Sequence, residues 1–178
     1  MDTEIQDNIL MQTFQKNGSR AAFNRLVERY IYPARAFASR TLGNAALADD
    51  AVQETFLRIL RKKNKYTPSK PFAPWFYTIL RNICTDMMRK KQTDSSARQS
   101  IAADLRKTAP HHEEKEPGPD PAELLRHLSD DEARALVLKF FHNMTFSEIG
   151  QAVGCSEEAA KKRSQRGLRR LREKYNKF

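Results

Sequence analysis

The sequence predicts an all-α protein of two small helical modules, an N-terminal helical bundle and a C-terminal helix-turn-helix, joined by a flexible linker. Apolar residues recur every three or four positions through most of the 178 residues, and no stretch alternates as a strand does. Eight prolines and six glycines are too few for a turn-rich β fold. The polar segment 93–120 separates residues 1–92 from residues 121–178, so we expect the two modules to move relative to one another.

Helices and a proline-rich loop build the first module. Ser19 is expected to cap a helix whose apolar stripe runs past Pro33, which either kinks that helix or begins another, until Gly43 ends it. Further helices are predicted over 46–63 and over 75–91, the second with a proline in its first turn. The segment 66–74 between them is a loop containing three prolines.

The helix over 46–63 presents two different faces. One is apolar and is predicted to enter the core through Val52, Phe56, Ile59 and Leu60. The other, which we call the acidic face, consists of Asp50, Gln53, Glu54 and Leu57 at helical spacing. An acidic surface on a basic module would repel DNA, so it favours a protein partner with basic groups, or is simply solvated.

The loop and the helix after it carry groups that suit single-stranded nucleic acid. Aromatic rings stack on bases, amides and hydroxyls bond base edges, and cationic side chains neutralise phosphates. Tyr66, in a polar loop bounded by prolines, is the aromatic least typical of a core. The candidate nucleic-acid set is Tyr66, Thr67, Ser69, Lys70, Tyr77, Arg81, Asn82, Thr85 and Arg89.

A helix-turn-helix pattern lies in the second module. Thr145 and Glu148 have the spacing of a capping box, Gly154 suits a turn with positive φ, and Ser156 can cap the next helix. The helix before this motif is predicted to bury Leu136, Val137, Phe140 and Phe141. The helix after it is expected to return Leu168, Leu171 and Tyr175 to the core.

That last helix is strongly basic, and its first turns are expected to enter the major groove of duplex DNA. Gly167 in its middle costs ~1 kcal/mol relative to Ala. The candidate duplex-contacting residues are Ser156, Glu157, Glu158, Lys161, Lys162, Arg163, Gln165 and Arg166.

Charge agrees with these assignments. The chain carries a formal net charge of +10, and the acidic excess over 93–120 separates two basic modules. This pattern is typical of a nucleic-acid-binding protein. No apolar run approaches the ~20 residues that span a bilayer, and two cysteines make no disulfide framework. We expect a cytoplasmic protein without direct membrane insertion.

Taken in order, three blocks of the sequence resemble the extracytoplasmic-function (ECF, group 4) sigma factors, the bacterial promoter-recognition subunits of RNA polymerase. They are the segment 48–58 (ADDAVQETFLR), the segment 71–77 (PFAPWFY) followed by Arg81-Asn82, and the helix-turn-helix over 145–172.

The resemblance implies a role for each part. The acidic face would bind the clamp helices of core RNA polymerase, and the candidate nucleic-acid set would open the −10 element and hold an extruded base. The helix after Ser156 would read the −35 duplex. Residues 1–92 would be a region 2-like domain and 121–178 a region 4-like domain. The resemblance further implies control by an anti-sigma factor, association with the nucleoid, no cofactor and no catalysis by this chain.

Two alternatives use fewer of these features. A stand-alone helix-turn-helix regulator would explain 121–178 but would leave the acidic face and the Tyr66 loop without a role. A divalent-metal nuclease built on Asp49, Asp50 and Glu54 is disfavoured because its candidate histidines, His111 and His112, lie in the linker, which cannot hold catalytic geometry.

Overall fold

Four helices and a short 3₁₀ turn form the first module in the computed structural model, which describes residues 2–97 and 127–175. They are α1 (Asp2–Asn17), α2 (Arg20–Leu42), α3 (Ala45–Lys62), the 3₁₀ turn (Lys63–Lys65) and α4 (Phe72–Ala97). The second module consists of α5 (Asp130–Phe141), α6 (Phe146–Val153) and α7 (Glu157–Tyr175). The predicted all-α class is confirmed. The predicted linker lies outside the described residues, apart from its first five, which continue α4.

The helix boundaries of the first module follow their capping residues. The Ser19 side chain accepts a hydrogen bond from the amide of Ala22 at 3.3 Å. From there α2 continues through Pro33 as one helix and ends at Gly43, whose φ is 62°. Asn44 then caps α3 by accepting from the amide of Leu47 at 3.0 Å.

The helix-turn-helix forms as predicted. Thr145 and Glu148 make a reciprocal capping box at the start of α6, and Gly154 ends α6 with a φ of 74°. The Ser156 hydroxyl accepts from the amide of Ala159 at 3.2 Å and so caps α7. No helix in the described segments is long and apolar enough to cross a bilayer.

The two modules pack together and share one apolar core. Leu138, Met144 and Ile149 of the second module belong to the same buried cluster as the aromatic core of the first. Polar contacts also cross the boundary, because Arg134 of α5 donates to the Thr41 hydroxyl of α2 at 2.8 Å. Its guanidinium also lies 5.8 Å from the centre of the Phe37 ring. The described modules are therefore in direct contact, whereas the sequence predicted independent movement.

Four residues predicted to be buried lie on the surface instead. Phe140 and Phe141 are 60% and 55% exposed, Leu60 is 40% exposed and Tyr175 is 38% exposed. Each belongs to the last turn of its helix. In α5, the close approach to α7 lies at least one turn earlier, near Glu132 and Leu136, where Gly167 of α7 passes.

Two glycines are explained by close packing. A Cβ atom on Gly167 would lie 2.9 Å from Cδ1 of Leu136, so the glycine that weakens α7 permits its contact with α5. A Cβ atom on Gly150 would lie 2.7 Å from the carbonyl oxygen of Cys155. Because backbone atoms cannot turn aside as a side chain does, the turn between α6 and α7 requires glycine at position 150.

We predict that Gly150→Ala destabilises the protein by about 1–3 kcal/mol, despite the better helix propensity of Ala, because the new methyl group overlaps backbone. Urea unfolding followed by circular dichroism measures this loss. The control is Gln151→Ala, at an exposed neighbouring position of α6, which should change stability by less than about 0.5 kcal/mol. Equal stabilities for the two variants would contradict the packing described for this turn.

Candidate nucleic-acid and protein interfaces

The acidic face lies on the surface of α3. Asp50, Gln53 and Leu57 are exposed, and Glu54 is partly exposed and accepts a hydrogen bond from Arg58 at 2.9 Å. Three residues on the opposite side of the same helix, Val52, Phe56 and Ile59, are buried. The face therefore presents two carboxylates, an amide and a leucine together, as its spacing predicted.

Two of the three carboxylates considered for a metal site have other partners. Asp49 forms an ion pair with Arg35 at 2.6 Å, and Glu54 is paired with Arg58. Among the residues that the structure describes, no three His, Cys, Asp or Glu side chains are grouped so that they could hold a metal ion.

Tyr66 is placed differently from the sequence prediction. Its side chain is only 2% exposed, and its ring packs against Trp75 with the ring centres 5.2 Å apart. Its hydroxyl donates to the carbonyl oxygen of Lys70 at 2.7 Å. The loop folds back over the ring, so Tyr66 offers no open stacking surface in this arrangement. The exposed groups of the loop are instead Thr67, Ser69 and Lys70.

Most of the candidate residues on α4 line one open groove. Its volume is about 610 Å³, and Arg81, Asn82, Thr85 and Arg89 lie along it. Val153 and Gly154, at the end of α6, form the other wall, and Arg81 donates to the carbonyl oxygen of Gln151 in α6 at 3.3 Å. A basic groove on the first module is thus bordered by the helix-turn-helix of the second.

Tyr77, the remaining member of that set, is completely buried under the second module. His142, which follows the end of α5, stacks on Tyr30 with ring centres 4.8 Å apart, and its Nε2 lies 2.8 Å from the Tyr77 hydroxyl. Burial lowers the pKa of His142 to about 4 and raises the pKa of Tyr77 well above its ordinary value. The imidazole is therefore neutral at pH 7, and its Nε2 shares a hydrogen bond with the Tyr77 hydroxyl.

No sequence pattern indicates this contact. His142 follows an amphipathic helix, and its spacing is typical of an ordinary residue at a helix end. Only the packing of the two modules brings it against Tyr30 and Tyr77, and such long-range packing leaves no local spacing signal.

The basic helix α7 has an outer and an inner row of polar and charged side chains. Arg163 is partly buried and pairs with Asp131 of α5 at 2.9 Å, while Arg170 pairs with the buried Glu132 at 3.0 Å. Arg163 therefore points towards α5, where it pairs with Asp131. The sequence had predicted that it would contact a duplex. The outer row is exposed and comprises Glu158, Lys161, Lys162, Gln165 and Arg169.

The outer row borders a shallow depression on the exposed side of α7. Lys162, Gln165 and Arg169, together with Arg166, surround this depression. Arg166 is exposed, and its Nε lies 3.9 Å from the Glu132 carboxylate. Glu157 and Ser156 begin the helix at the same exposed end.

Comparison with known proteins finds two family models in this chain. The model of sigma-70 region 2 matches residues 26–93, and that of sigma-70 region 4 matches residues 124–173. Among curated proteins, the RNA polymerase sigma factor CarQ of Myxococcus xanthus is 33% identical over 89% of this chain and 91% of its own length. The ECF RNA polymerase sigma factor EcfG of Rhodopseudomonas palustris is 30% identical, covering 77% of this chain and 76% of its own.

Solved structures show the same fold. The sigma factor RpoE of Bartonella quintana, solved in complex with the anti-sigma factor NepR, superposes with a TM-score of 0.66 at 24% identity, covering 85% of this chain and 94% of that one. CnrH, solved in complex with the cytosolic domain of CnrY, superposes with a TM-score of 0.57 at 24% identity, covering 96% and 97%.

We predict that the packing of the modules weakens as pH falls from about 6.5 towards 4. His142 has a pKa of about 4 in the packed state and one near 6.5 when exposed, so unfolding or separation takes up a proton in that window. Urea unfolding of the native chain and of His142→Gln, whose amide can still form a hydrogen bond with Tyr77 but does not titrate, isolates the effect. The native chain should lose more stability than the variant, by up to about 1.4 kcal/mol per pH unit. A constant difference between the two proteins from pH 7.5 to pH 4.5 would contradict the assignment.

Proposed function

Because this chain belongs to the extracytoplasmic-function sigma factors of the sigma-70 family, we propose that its modules divide promoter recognition between them. A sigma factor directs core RNA polymerase to promoters and starts transcription there. The observation that carries the division of labour is the separation of an acidic face on α3 from two basic surfaces, one on α4 and one on α7.

The acidic face is the proposed binding site for core polymerase. Asp50 and Glu54 supply charge, Gln53 supplies hydrogen bonds, and the exposed Leu57 supplies apolar contact at the same surface. A partner with basic groups around an apolar centre would match it, and the charges would steer the encounter.

The groove along α4 is the proposed binding site for the opened −10 element. Arg81, Asn82, Thr85 and Arg89 offer cationic and hydrogen-bonding groups to a single strand, and the loop residues Thr67, Ser69 and Lys70 lie exposed before α4. Tyr66 and Tyr77 belong to this site in the proposal, but their rings become available only after local rearrangement. For Tyr77, that means movement of α5 and α6 away from α4.

The outer row of α7 is the proposed −35 reading surface. Ser156, Glu157 and Glu158 begin the helix, and Lys161, Lys162 and Gln165 follow on the exposed side. Glutamate can accept from the cytosine amino group and lysine can donate to guanine, so the row can read base edges as well as hold phosphates. Arg166 and Arg169 would contact the phosphate backbone of the duplex, whereas Arg163 stabilises the module through its pair with Asp131.

Packing of the modules suggests how the chain is kept inactive. The second module covers Tyr77 and borders the groove, so promoter opening requires the two to separate. An anti-sigma factor that binds both modules would hold them in a closed state, and we propose such a partner for this chain. Group 4 membership and association with the nucleoid belong to the same proposal, and so does the absence of any catalytic step on this chain, with no cofactor required.

We predict that Asp50→Lys/Glu54→Lys weakens binding to purified bacterial core RNA polymerase by about tenfold or more, since attractive charges become repulsive. Pull-down of core on the immobilised chain measures the affinity. Circular dichroism should be unchanged because Asp50 is exposed and the Glu54–Arg58 pair lies on the surface of α3.

The control for this experiment is Glu28→Lys, an exposed charge reversal on α2, which should bind core as the native chain does. Unchanged binding by the double variant would remove the role of the acidic face. If the native chain binds duplex DNA but no core, a stand-alone helix-turn-helix regulator would replace the proposed function.

We predict that Lys162→Ala/Arg169→Ala lowers the salt dependence of duplex binding. Loss of two phosphate contacts should reduce the slope of log K against log salt concentration by about two. Arg163→Ala is the control, because this arginine is paired with Asp131, and it should leave the slope unchanged while lowering stability. A slope that falls only in the Arg163 variant would reverse the two assignments.

A further inference from the structure

A row of three amide side chains runs along α1. Asn8, Gln12 and Gln15 follow one another at helical spacing and are all half-buried. Met11 and Phe14 from the same helix are buried in the core. The region 2 model begins at residue 26, so this helix lies outside the matched part of the chain.

Every amide of the row bonds to the segment 63–72. This segment contains residues 67–70, which we call the proposed −10 loop. Gln15 donates to the carbonyl oxygens of Lys63 and Tyr66, both at 3.0 Å. Gln12 lies next along the row, with its amide nitrogen 3.4 Å from the carbonyl oxygen of Pro68. The amide oxygen of Asn8 accepts from the backbone amide of Phe72 at 2.8 Å and lies 3.1 Å from the Tyr66 hydroxyl. Successive turns of α1 thus follow the segment from its beginning to its end.

The partners determine which way each amide faces. The backbone N–H of Phe72 can only donate, so the oxygen of Asn8 must face it, and the carbonyls of Lys63 and Tyr66 can only accept, so the nitrogen of Gln15 must face them. Phe72 is the first residue of α4. Asn8 therefore caps α4 from a different helix and satisfies one of its unbonded amide groups.

Two hydrogen bonds within the loop also shape it. The amide of Lys70 bonds to the carbonyl of Thr67 at 2.9 Å, and the carbonyl of Lys70 accepts from the Tyr66 hydroxyl at 2.7 Å, while the side chains of residues 67–70 are exposed. A short loop held by so few bonds of its own would lose conformational freedom on binding a ligand. Ordering it beforehand removes that cost and limits the shapes that it can offer to a base.

We propose that Asn8, Gln12 and Gln15 are positioning residues for −10 recognition, and that they act by holding the proposed −10 loop in one conformation. This inference rests on the proposed function of that loop. None of the three needs to touch DNA. Their loss should relax the choice of base at the −10 element while leaving core binding and −35 reading intact.

The test uses the full chain assembled with bacterial core RNA polymerase and a pool of promoter-length duplexes that is randomised at both elements. Sequencing of the bound molecules gives base preferences at −10 and −35 in the same experiment, and core affinity is measured separately. Asn8→Leu should lower discrimination at the −10 element by about threefold to tenfold, the effect of losing one or two hydrogen bonds. The −35 preferences and the core affinity should stay within about twofold of those of the native chain, which is less than the effect of losing one hydrogen bond.

Two matched substitutions make the test specific. Asn8→Asp retains an oxygen acceptor for the Phe72 amide, at a helix N-terminus that favours negative charge, and should keep the native −10 preference. Gln15→Glu makes the same chemical exchange but removes a donor, and should reduce discrimination as Gln15→Leu does. If Asn8→Leu does not fold, Gln15→Leu and Gln15→Glu decide the question on their own.

The possible outcomes distinguish failure of this inference from failure of the proposed sigma-factor function. Native −10 discrimination in both Asn8→Leu and Gln15→Leu would overturn the inference and leave the sigma-factor function untouched. Parallel loss of −10 and −35 preferences and of core affinity would overturn it as well, because the row would then only support the fold. If the native chain with core selects no −10 sequence, the proposed role of the loop is wrong and the inference falls with it.

Discussion

Burial of Tyr30 at the centre of the molecule is the constraint on which the other parts depend. Its hydroxyl donates to Asp7 of α1 at 2.8 Å, and its ring packs on Phe72, Phe76 and Tyr77. The ring of His142 stacks on Tyr30 as well. One side chain of α2 thereby joins α1, α4 and the end of α5. Contacts of Tyr30 therefore position both α4, which carries the proposed −10 groove, and the second module.

Ion pairs with α5 divide the charged residues of α7 into an inner and an outer row. The basic residues of α7 look equivalent by composition, but α5 supplies Asp131 and Glu132 on the side facing it. These carboxylates pair with Arg163 and Arg170, and Glu132 also caps α5 by accepting from the backbone amide of Ser129 at 3.1 Å. Neutralising the inner row lets two helices that both carry charge pack closely. It also leaves the outward row to determine what the module binds.

Local signals predicted what local interactions decide. The capping box at Thr145, the positive φ at Gly154 and the acidic face of α3 depend on neighbours within a turn, and each appears as expected. Features that depend on distant packing could not be found in this way, and they include the burial of Tyr66 and Tyr77 and the role of His142. Gly167 of α7 was predictable only in part. Its cost to the helix can be seen in the sequence, but the reason for it, the close approach of the Leu136 side chain, cannot.

The pairing of the inner row with α5 has a consequence for how such a chain changes its target during evolution. The ion pairs of the outer row stay within α7, between Glu158 and Lys162 and between Arg169 and Glu173, so these residues can vary and alter the preferred DNA sequence at little cost to the fold. Residues of the inner row and of the surface against α4 can change only together with their partners. A second module transplanted from a relative would therefore bring its own reading surface readily, but would fit this first module only if it also supplied matching groups for Tyr77 and for Phe37.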